Sequence, residues 1–171
     1  MNTKRKAGVI LGLFIFMSSL VIGTLTPVPV STVLSGVDYL VVYAWNSTSQ
    51  GFMAYLPGEG GEFTTMVPGQ QGYWVYSNEN ATVQINGTEI SSSDYGASLK
   101  TGWNLVGYAK SSPGTLSTLL SGVDYLVTYS WNSTSQGFMA YMPGVIQDFT
   151  TMEAGKGYWV YANANATWTY T

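Results

Sequence analysis

The sequence predicts a mainly β protein: two tandem antiparallel β-repeat domains, each with one short helix, behind an N-terminal apolar segment. Three observations predict this fold class. A long phrase occurs twice, residues alternate with a period of two within it, and polar turn residues separate the alternating runs. Aromatic residues reach 15% and charged residues only 9%, which favours a packed domain over a disordered chain.

The repeat is the strongest of these signals. Residues 31–58 and 117–144 differ at four of 28 positions, and the similarity resumes over 61–82 and 147–167. Two copies of one structural unit therefore account for most of the chain. A catalytic centre is usually a single asymmetric arrangement of side chains, so a unit duplicated almost unaltered indicates binding or assembly first.

We divide the chain into three parts. Residues 1–23 are a signal peptide or membrane anchor, residues 24–90 form the first β-repeat, and residues 91–171 form the second. Units of about 75 to 85 residues are small for independent stability, so the two repeats are expected to pack together, as in a β-sandwich.

Each copy begins with a strand rich in aromatic residues. In the second copy Tyr125, Val127, Tyr129 and Trp131 share one face of this strand, and residues 39–45 repeat the pattern in the first copy. We predict that the aromatic face is buried, with the tryptophans in the core. Polar turns then return the chain as hairpin strands over 52–56 and 138–142.

Further strands are predicted in both copies, over 73–76, 158–161, 82–85 and 167–171. The second copy also opens with the phrase GWNLVGY at 102–108, entered from 97–100 and followed by a short helix within 113–120.

The first copy contains no counterpart of GWNLVGY, because the matching positions fall within residues 16–22. An open sheet edge is expected there, which invites strand addition. Either a neighbouring subunit fills it, with residues 24–31 or its tail 166–171, or residues 81–100 of the same chain do.

The amino terminus is typical of an exported protein. Residues 4–6 are basic and precede the apolar run 7–22, as in a secretory signal that would be cleaved after Gly23. The run could instead stay as a membrane anchor, or follow a pilin-type leader cut after Gly8. In each case the expected location is extracellular or at the cell surface.

Five Asn-Xaa-Thr sequons agree with export and are candidates for glycosylation. They lie at Asn46, Asn80, Asn86, Asn132 and Asn165.

Composition argues against several function classes. The chain has no cysteine and no histidine, which excludes thiol chemistry and zinc sites. After the apolar run, three basic residues face nine acidic ones, a net charge of −6, so nucleic acid is not an expected partner. The acids repeated in both copies are Asp38 with Asp124 and Glu62 with Asp148, and their spacing does not indicate the paired carboxylates of a glycosidase. Asp38 and Asp124 are explained as residues that cap or turn the chain before the aromatic strand. We predict no enzyme activity, no catalytic or metal-binding residue and no cofactor.

Two pairs of repeated aromatics are the remaining candidate site. Trp74 and Trp159 alternate with tyrosines, and with Tyr76 and Tyr161 they could stack on sugars or serve in assembly.

Three phrases together resemble a known family of proteins. GWNLVGY (102–108), the strand ending in Trp131 and GKGYWVY (155–161) are similar to a repeat of secreted archaeal and bacterial surface proteins. The similarity covers about 99–171 and, without GWNLVGY, about 31–82. It implies a structural or adhesive β-repeat at the cell surface and brings no catalytic residues.

The expected function is a subunit of an extracellular filament, sheath or S-layer that binds copies of itself through strand edges and aromatic faces. The alternative is a carbohydrate-binding or adhesion module whose partners are cell-surface glycans.

Overall fold

A computed structural model describes residues 9–12, 27–67, 70–81 and 96–170. Within these residues the protein is mainly β, with antiparallel sheets in two clusters and two very short helices. The elements in chain order are β1 (Val9–Gly12), β2 (Val28–Pro29), α1 (Val30–Val33), β3 (Tyr39–Asn46), β4 (Gly51–Leu56), β5 (Gly60–Gly61), β6 (Thr65–Met66), β7 (Tyr73–Ser77), β8 (Gly96–Leu99), β9 (Gly102–Tyr108), β10 (Gly114–Thr115), α2 (Leu116–Leu119), β11 (Tyr125–Asn132), β12 (Gly137–Met142), β13 (Ile146–Gln147), β14 (Thr151–Met152), β15 (Lys156–Ala162) and β16 (Ala166–Thr169).

Each cluster is built on one five-stranded sheet. The first unit, with β1 to β7, has the order β1-β7-β3-β4-β5, and the second unit, with β8 to β16, has the order β9-β15-β11-β12-β13. Equivalent strands of the two copies occupy equivalent places, and all pairings are antiparallel. The predicted hairpins β3–β4 and β11–β12 are confirmed, and the turns are fixed by Asn46 and Asn132, whose Oδ1 atoms accept backbone N–H groups two and three residues later.

Small elements cover one face of each sheet and close its core. In the first unit β2 pairs with β6 and leads into α1, and in the second β10 pairs with β14 and leads into α2. The helix predicted within 113–120 is confirmed, but it is limited to the four residues of α2. Among the described residues, no helix is long and apolar enough to cross a membrane.

The prediction that the aromatic strand face forms the core is wrong. The cores instead contain the face with small side chains: Val42 and Ala44 in the first unit, with Thr128 and Ser130 buried at the same places in the second. A β-bulge causes the difference, because the pairing of β11 with β15 shifts register between Tyr125 and Val127, and that of β3 with β7 shifts at the equivalent place. One extra residue reverses the alternation, which places Tyr125 against the core and sends the later aromatics to the other face.

The vacant strand position predicted in the first unit is filled by a segment that no prediction named. Strand β1 pairs with β7 along four residues, from Val9 opposite Ser77 to Gly12 opposite Trp74. Of the expected same-chain segment 81–100, residues 96–99 form β8 and pair with β16, and residues 82–95 lie outside the described residues. Strand addition from a neighbouring subunit stays a prediction. The strand predicted over 82–85 and the sequon at Asn86 lie outside the described residues.

The carboxyl-terminal tail is anchored in its own unit. Trp168 of β16 is buried, and its Nε1–H donates to the Leu119 carbonyl at 2.7 Å. The Tyr170 hydroxyl is also buried and accepts the Ala109 N–H at 3.1 Å. Donating this tail to a neighbour would therefore empty the core of its own unit, which is a physical reason against the tail as the shared strand.

Candidate functional site

The faces of the two sheets that carry the tryptophans meet each other. Trp45 packs edge to face on Trp159 with ring centroids 5.0 Å apart, and Trp131 packs in the same way on Trp74 at 5.2 Å. Trp131 is the second-copy equivalent of Trp45, and Trp159 is the equivalent of Trp74. The two contacts are therefore related as by an approximate two-fold axis, and we call this region the aromatic junction.

A phenylalanine follows the hairpin turn in each unit and flanks the aromatic junction. Phe52 lies 4.9 Å from Trp45 and Phe138 lies 5.0 Å from Trp131, measured between ring centroids. Both remain largely in solvent, with 56% of Phe52 and 53% of Phe138 exposed. The aromatic junction thus ends in two equivalent apolar side chains at the surface.

Among the described residues, a set of side-chain hydrogen bonds joins the units on one side of the junction. The Gln50 amide holds the backbone of Trp103: Trp103 N–H donates to Gln50 Oε1 at 2.8 Å, and Gln50 Nε2 donates to the Trp103 carbonyl at 3.0 Å. The Trp45 indole N–H donates to the same carbonyl at 2.8 Å. Side chains of the first unit therefore fix the start of β9, a strand of the second unit.

Within the part of the chain that the structure describes, the equivalent pair in the second unit bonds no such strand. Gln136 has the same positive φ of 53° as Gln50 and the same 2.6 Å hydrogen bond to the carbonyl three residues earlier. The Trp131 Nε1 is buried, and it has no hydrogen-bond partner among the described residues. The two halves of the junction thus match in their rings and differ in what their polar groups bind.

The outer strand of each hairpin carries an edge that is only partly paired. Strand β12 pairs with β13 at Tyr141 and Met142, and Asp148 bonds the backbone N–H and carbonyl of Ala140. Phe138 lies two residues before Ala140, so its N–H and carbonyl point outward as well. Among the described residues no strand covers positions 137–139, and the same holds for 51–53 of β4.

The candidate sugar-stacking residues differ in how much ring surface they offer. Trp159 is only 9% exposed, since Trp45, Phe52 and Trp103 all pack against it. Trp74, Tyr76 and Tyr161 are half-buried.

The described sequons are at the surface, in two local settings. Asn80 and Asn165 are exposed, while Asn46 and Asn132 are half-buried in the hairpin turns. In both turns the side-chain oxygen accepts a backbone N–H, and in the second turn Asn132 Nδ2 also donates to Met139 Sδ at 4.0 Å. Asn165 Oδ1 likewise accepts the Thr101 N–H at 2.9 Å.

The repeated acids have structural contacts. Asp124 accepts a hydrogen bond from Asn163 Nδ2 at 2.7 Å, and Asp38 accepts one from Asn78 Nδ2 at 2.8 Å. Glu62, like Asp148, bonds the backbone of the neighbouring strand. Within the described ranges, the acidic side chains form no group of three that could hold a metal ion.

The most perturbed ionisable groups are core tyrosines that brace a loop. Burial raises the pKa of Tyr73 to about 12, although its hydroxyl accepts the Val67 N–H at 2.8 Å. Burial likewise raises the pKa of Tyr158, whose hydroxyl accepts the Glu153 N–H at 2.7 Å. These groups are neutral at physiological pH and act as hydrogen-bond acceptors that hold each loop on its sheet.

The chain matches no protein-family model, no curated protein and no solved structure.

Sequence reasoning missed the two features that distinguish this site. The grip of Gln50 on Trp103 depends on two residues 53 positions apart in different units. The open edges depend on how far β5 and β13 extend. One signal was present in the sequence: the repeated Gln-Gly-Phe, which places an amide and an apolar ring side by side after each turn.

Proposed function

We propose that the protein is a secreted structural protein: two tandem β-repeat domains behind an export signal that form a subunit of an extracellular filament, sheath or S-layer. One observation carries this proposal. Each unit offers the same partly unpaired strand edge beside an exposed phenylalanine, Phe52 in β4 and Phe138 in β12. A molecule with two equivalent adhesive edges is bivalent, and bivalent subunits form chains.

The surface around these edges favours association further. Leu56, Val145 and Ile146 lie at the ends of the same hairpins and are exposed. Few charges oppose contact, since charged residues make up 9% of the chain. The tryptophans contribute less, because the aromatic junction buries their rings against one another within the molecule. Assembly therefore depends on the strand edges, with aromatic contacts limited to the two phenylalanines.

A lysine on each edge tests the proposal, because a charge on an edge strand opposes edge pairing. Sedimentation velocity of the wild type should show polymers that grow with concentration. Phe138→Lys removes one of the two edges and should stop growth at dimers, whereas Phe52→Lys with Phe138→Lys should give monomers.

Leu40→Lys is the matched control. Leu40 is 52% exposed, but it lies at the bulge of β3, an inner strand of the sheet. The Leu40→Lys variant adds the same charge away from the open edges, so it should polymerise like the wild type. Polymers that persist in the double variant, with its circular dichroism unchanged, would refute edge assembly.

A second candidate function is carbohydrate binding, which a separate group of rings favours. Trp103, Tyr129 and Tyr161 are half-buried neighbours, with the Trp103 and Tyr161 rings 5.1 Å apart at 81°. Half-exposed rings of this kind can stack on a sugar, whereas Trp159 is too enclosed. Tyr161→Ala should abolish retention on a glycan array if this function is correct, and Tyr76→Ala, its first-copy equivalent, is the matched control. Equal retention by both variants and the wild type would exclude a site at Trp103.

A further inference from the structure

Trp131 and Gln136 form a second copy of a site whose ligand is visible in the first copy. There, Trp45 and Gln50 make three hydrogen bonds of 2.8 to 3.0 Å with the backbone of one residue in an extended strand: they donate two to the Trp103 carbonyl and accept one from its N–H. The second pair has the same residue types, the same hairpin and the same ring contacts. A gene duplication would by itself explain why the two tryptophan–glutamine pairs are alike, without any ligand for the second pair.

Duplication alone does not explain why the indole N–H of Trp131 is buried without a hydrogen-bond partner among the described residues. Trp131 Nε1 is closed off from solvent and has no partner among the described residues, an arrangement that costs about 1–3 kcal/mol. Gln136 also keeps the left-handed backbone of its equivalent, with φ at 53°, which is uncommon outside glycine. In the first unit the residue with this conformation, Gln50, bonds the backbone of Trp103.

The strand that pairs with β7 has a different residue at the register position equivalent to Gly102. Tyr76 of β7 pairs with Ile10, just as its equivalent Tyr161 pairs with Trp103. Val9 therefore stands where β9 has Gly102.

A side chain at that position is incompatible with the grip. A Cβ added to Gly102 would lie 2.7 Å from Gln50 Oε1, and its φ of 97° is one that residues with a side chain rarely adopt. A side chain at this position would displace the glutamine amide and strain the backbone, so the tryptophan–glutamine pair favours a strand with glycine before the bound residue.

From these observations we infer that Trp131 and Gln136 are a binding site for an extended strand of another protein that begins with glycine followed by an aromatic residue, and that this strand replaces β1 on β7. The chemistry of the ligand is that of the β9 start, Gly102-Trp103. A second copy of this chain is a poor source, because its own β9 is held by seven residue pairs with β15 and by Gln50. The site adjoins the β12 edge used in assembly, because the rings of Trp131 and Phe138 lie 5.0 Å apart.

The test uses a fluorescently labelled synthetic peptide with the sequence of residues 101–110, titrated with the full chain at a concentration where sedimentation shows monomers. Fluorescence anisotropy should report one peptide per chain. The same peptide with Gly102→Val should bind at least about tenfold more weakly, the effect of losing two hydrogen bonds. Working on monomers separates failure of this inference from failure of edge assembly.

Variants of the protein locate the binding. Gln136→Ala and Trp131→Phe should each weaken the peptide by about three- to tenfold, and Gln50→Ala, the matched control in the first copy, should not. Equal binding of the glycine and valine peptides, or equal effects of Gln136→Ala and Gln50→Ala, would overturn the inference.

A second measurement covers the case in which β1 outcompetes the peptide. Val9→Gly with Ile10→Trp puts the required pair into β1 itself and should raise the melting temperature above that of Val9→Ala with Ile10→Trp. Two results together would show that the inference is wrong. The peptide would not bind at about 1 mM, the weakest affinity of interest, and the variant with Val9→Gly would be no more stable than the variant with Val9→Ala.

Discussion

Replacing Gln50 by alanine should destabilise the protein more than replacing Gln136, although the two residues have the same local environment. Both have a φ of 53°, and both donate a 2.6 Å hydrogen bond to the carbonyl three residues earlier. These shared losses cancel when the variants are compared. Only Gln50 also bonds Trp103 of the other unit, at 2.8 and 3.0 Å.

The expected difference follows from those two hydrogen bonds. They are exposed, so each should contribute toward the lower part of the usual net range, and together about 1–2 kcal/mol of the free energy of unfolding. In a chain of 171 residues this corresponds to a melting temperature lower by about 2–8 °C for Gln50→Ala than for Gln136→Ala.

Urea denaturation followed by tryptophan fluorescence and far-ultraviolet circular dichroism measures this difference at a concentration where the chain is monomeric. The slope of the free energy against urea should match between the variants, since neither changes the buried surface by much. Equal midpoints, or a lower midpoint for Gln136→Ala, would refute the one-sided grip between the units.

Three further outcomes are expected. Trp45→Phe should cost about 1–3 kcal/mol more than Trp131→Phe, because only Trp45 loses a hydrogen bond while Trp131 loses a buried N–H without a described partner; equal costs by urea denaturation would contradict this. Trp168→Ala should cost about 3–5 kcal/mol by the same method, since the ring is buried; a cost under about 1 kcal/mol would show that the tail is not part of the core. Burial raises the pKa of Tyr73 to about 12 in the folded state, whereas tyrosine in the unfolded chain ionises near pH 10. The contribution of Tyr73 to the free energy of unfolding should therefore be complete below about pH 10 and fall as the pH rises toward 12. Phenolate absorbance that shows every tyrosine of the folded protein titrating near pH 10 would contradict this.

The hairpins could be predicted from the sequence because their determinants are local. Asn46 and Asn132 close the turns with their own side chains, and the residues around them alternate over the length of a strand. The face that each strand buries could not be predicted. One bulge, just after Tyr39 or Tyr125, reverses the alternation, and a bulge depends on the partner strand rather than on the strand that contains it.

The strand next to β7 was missed for a different reason. Residues 7–22 are as apolar as an export signal, and that property explains their composition without any sheet. The pairing of Val9–Gly12 with β7 joins residues more than 60 positions apart, which no local pattern reveals. The candidate edges at Phe52 and Phe138 were missed likewise, since openness is set by how far β5 and β13 extend.

The most direct test of the central claim is sedimentation velocity of the wild-type protein over a concentration series, with negative-stain electron microscopy of the same samples. Two equivalent adhesive edges predict species that lengthen with concentration and appear as regular filaments, tubes or sheets. A single monomeric species at every concentration, with no ordered particles on the grid, would contradict a structural role.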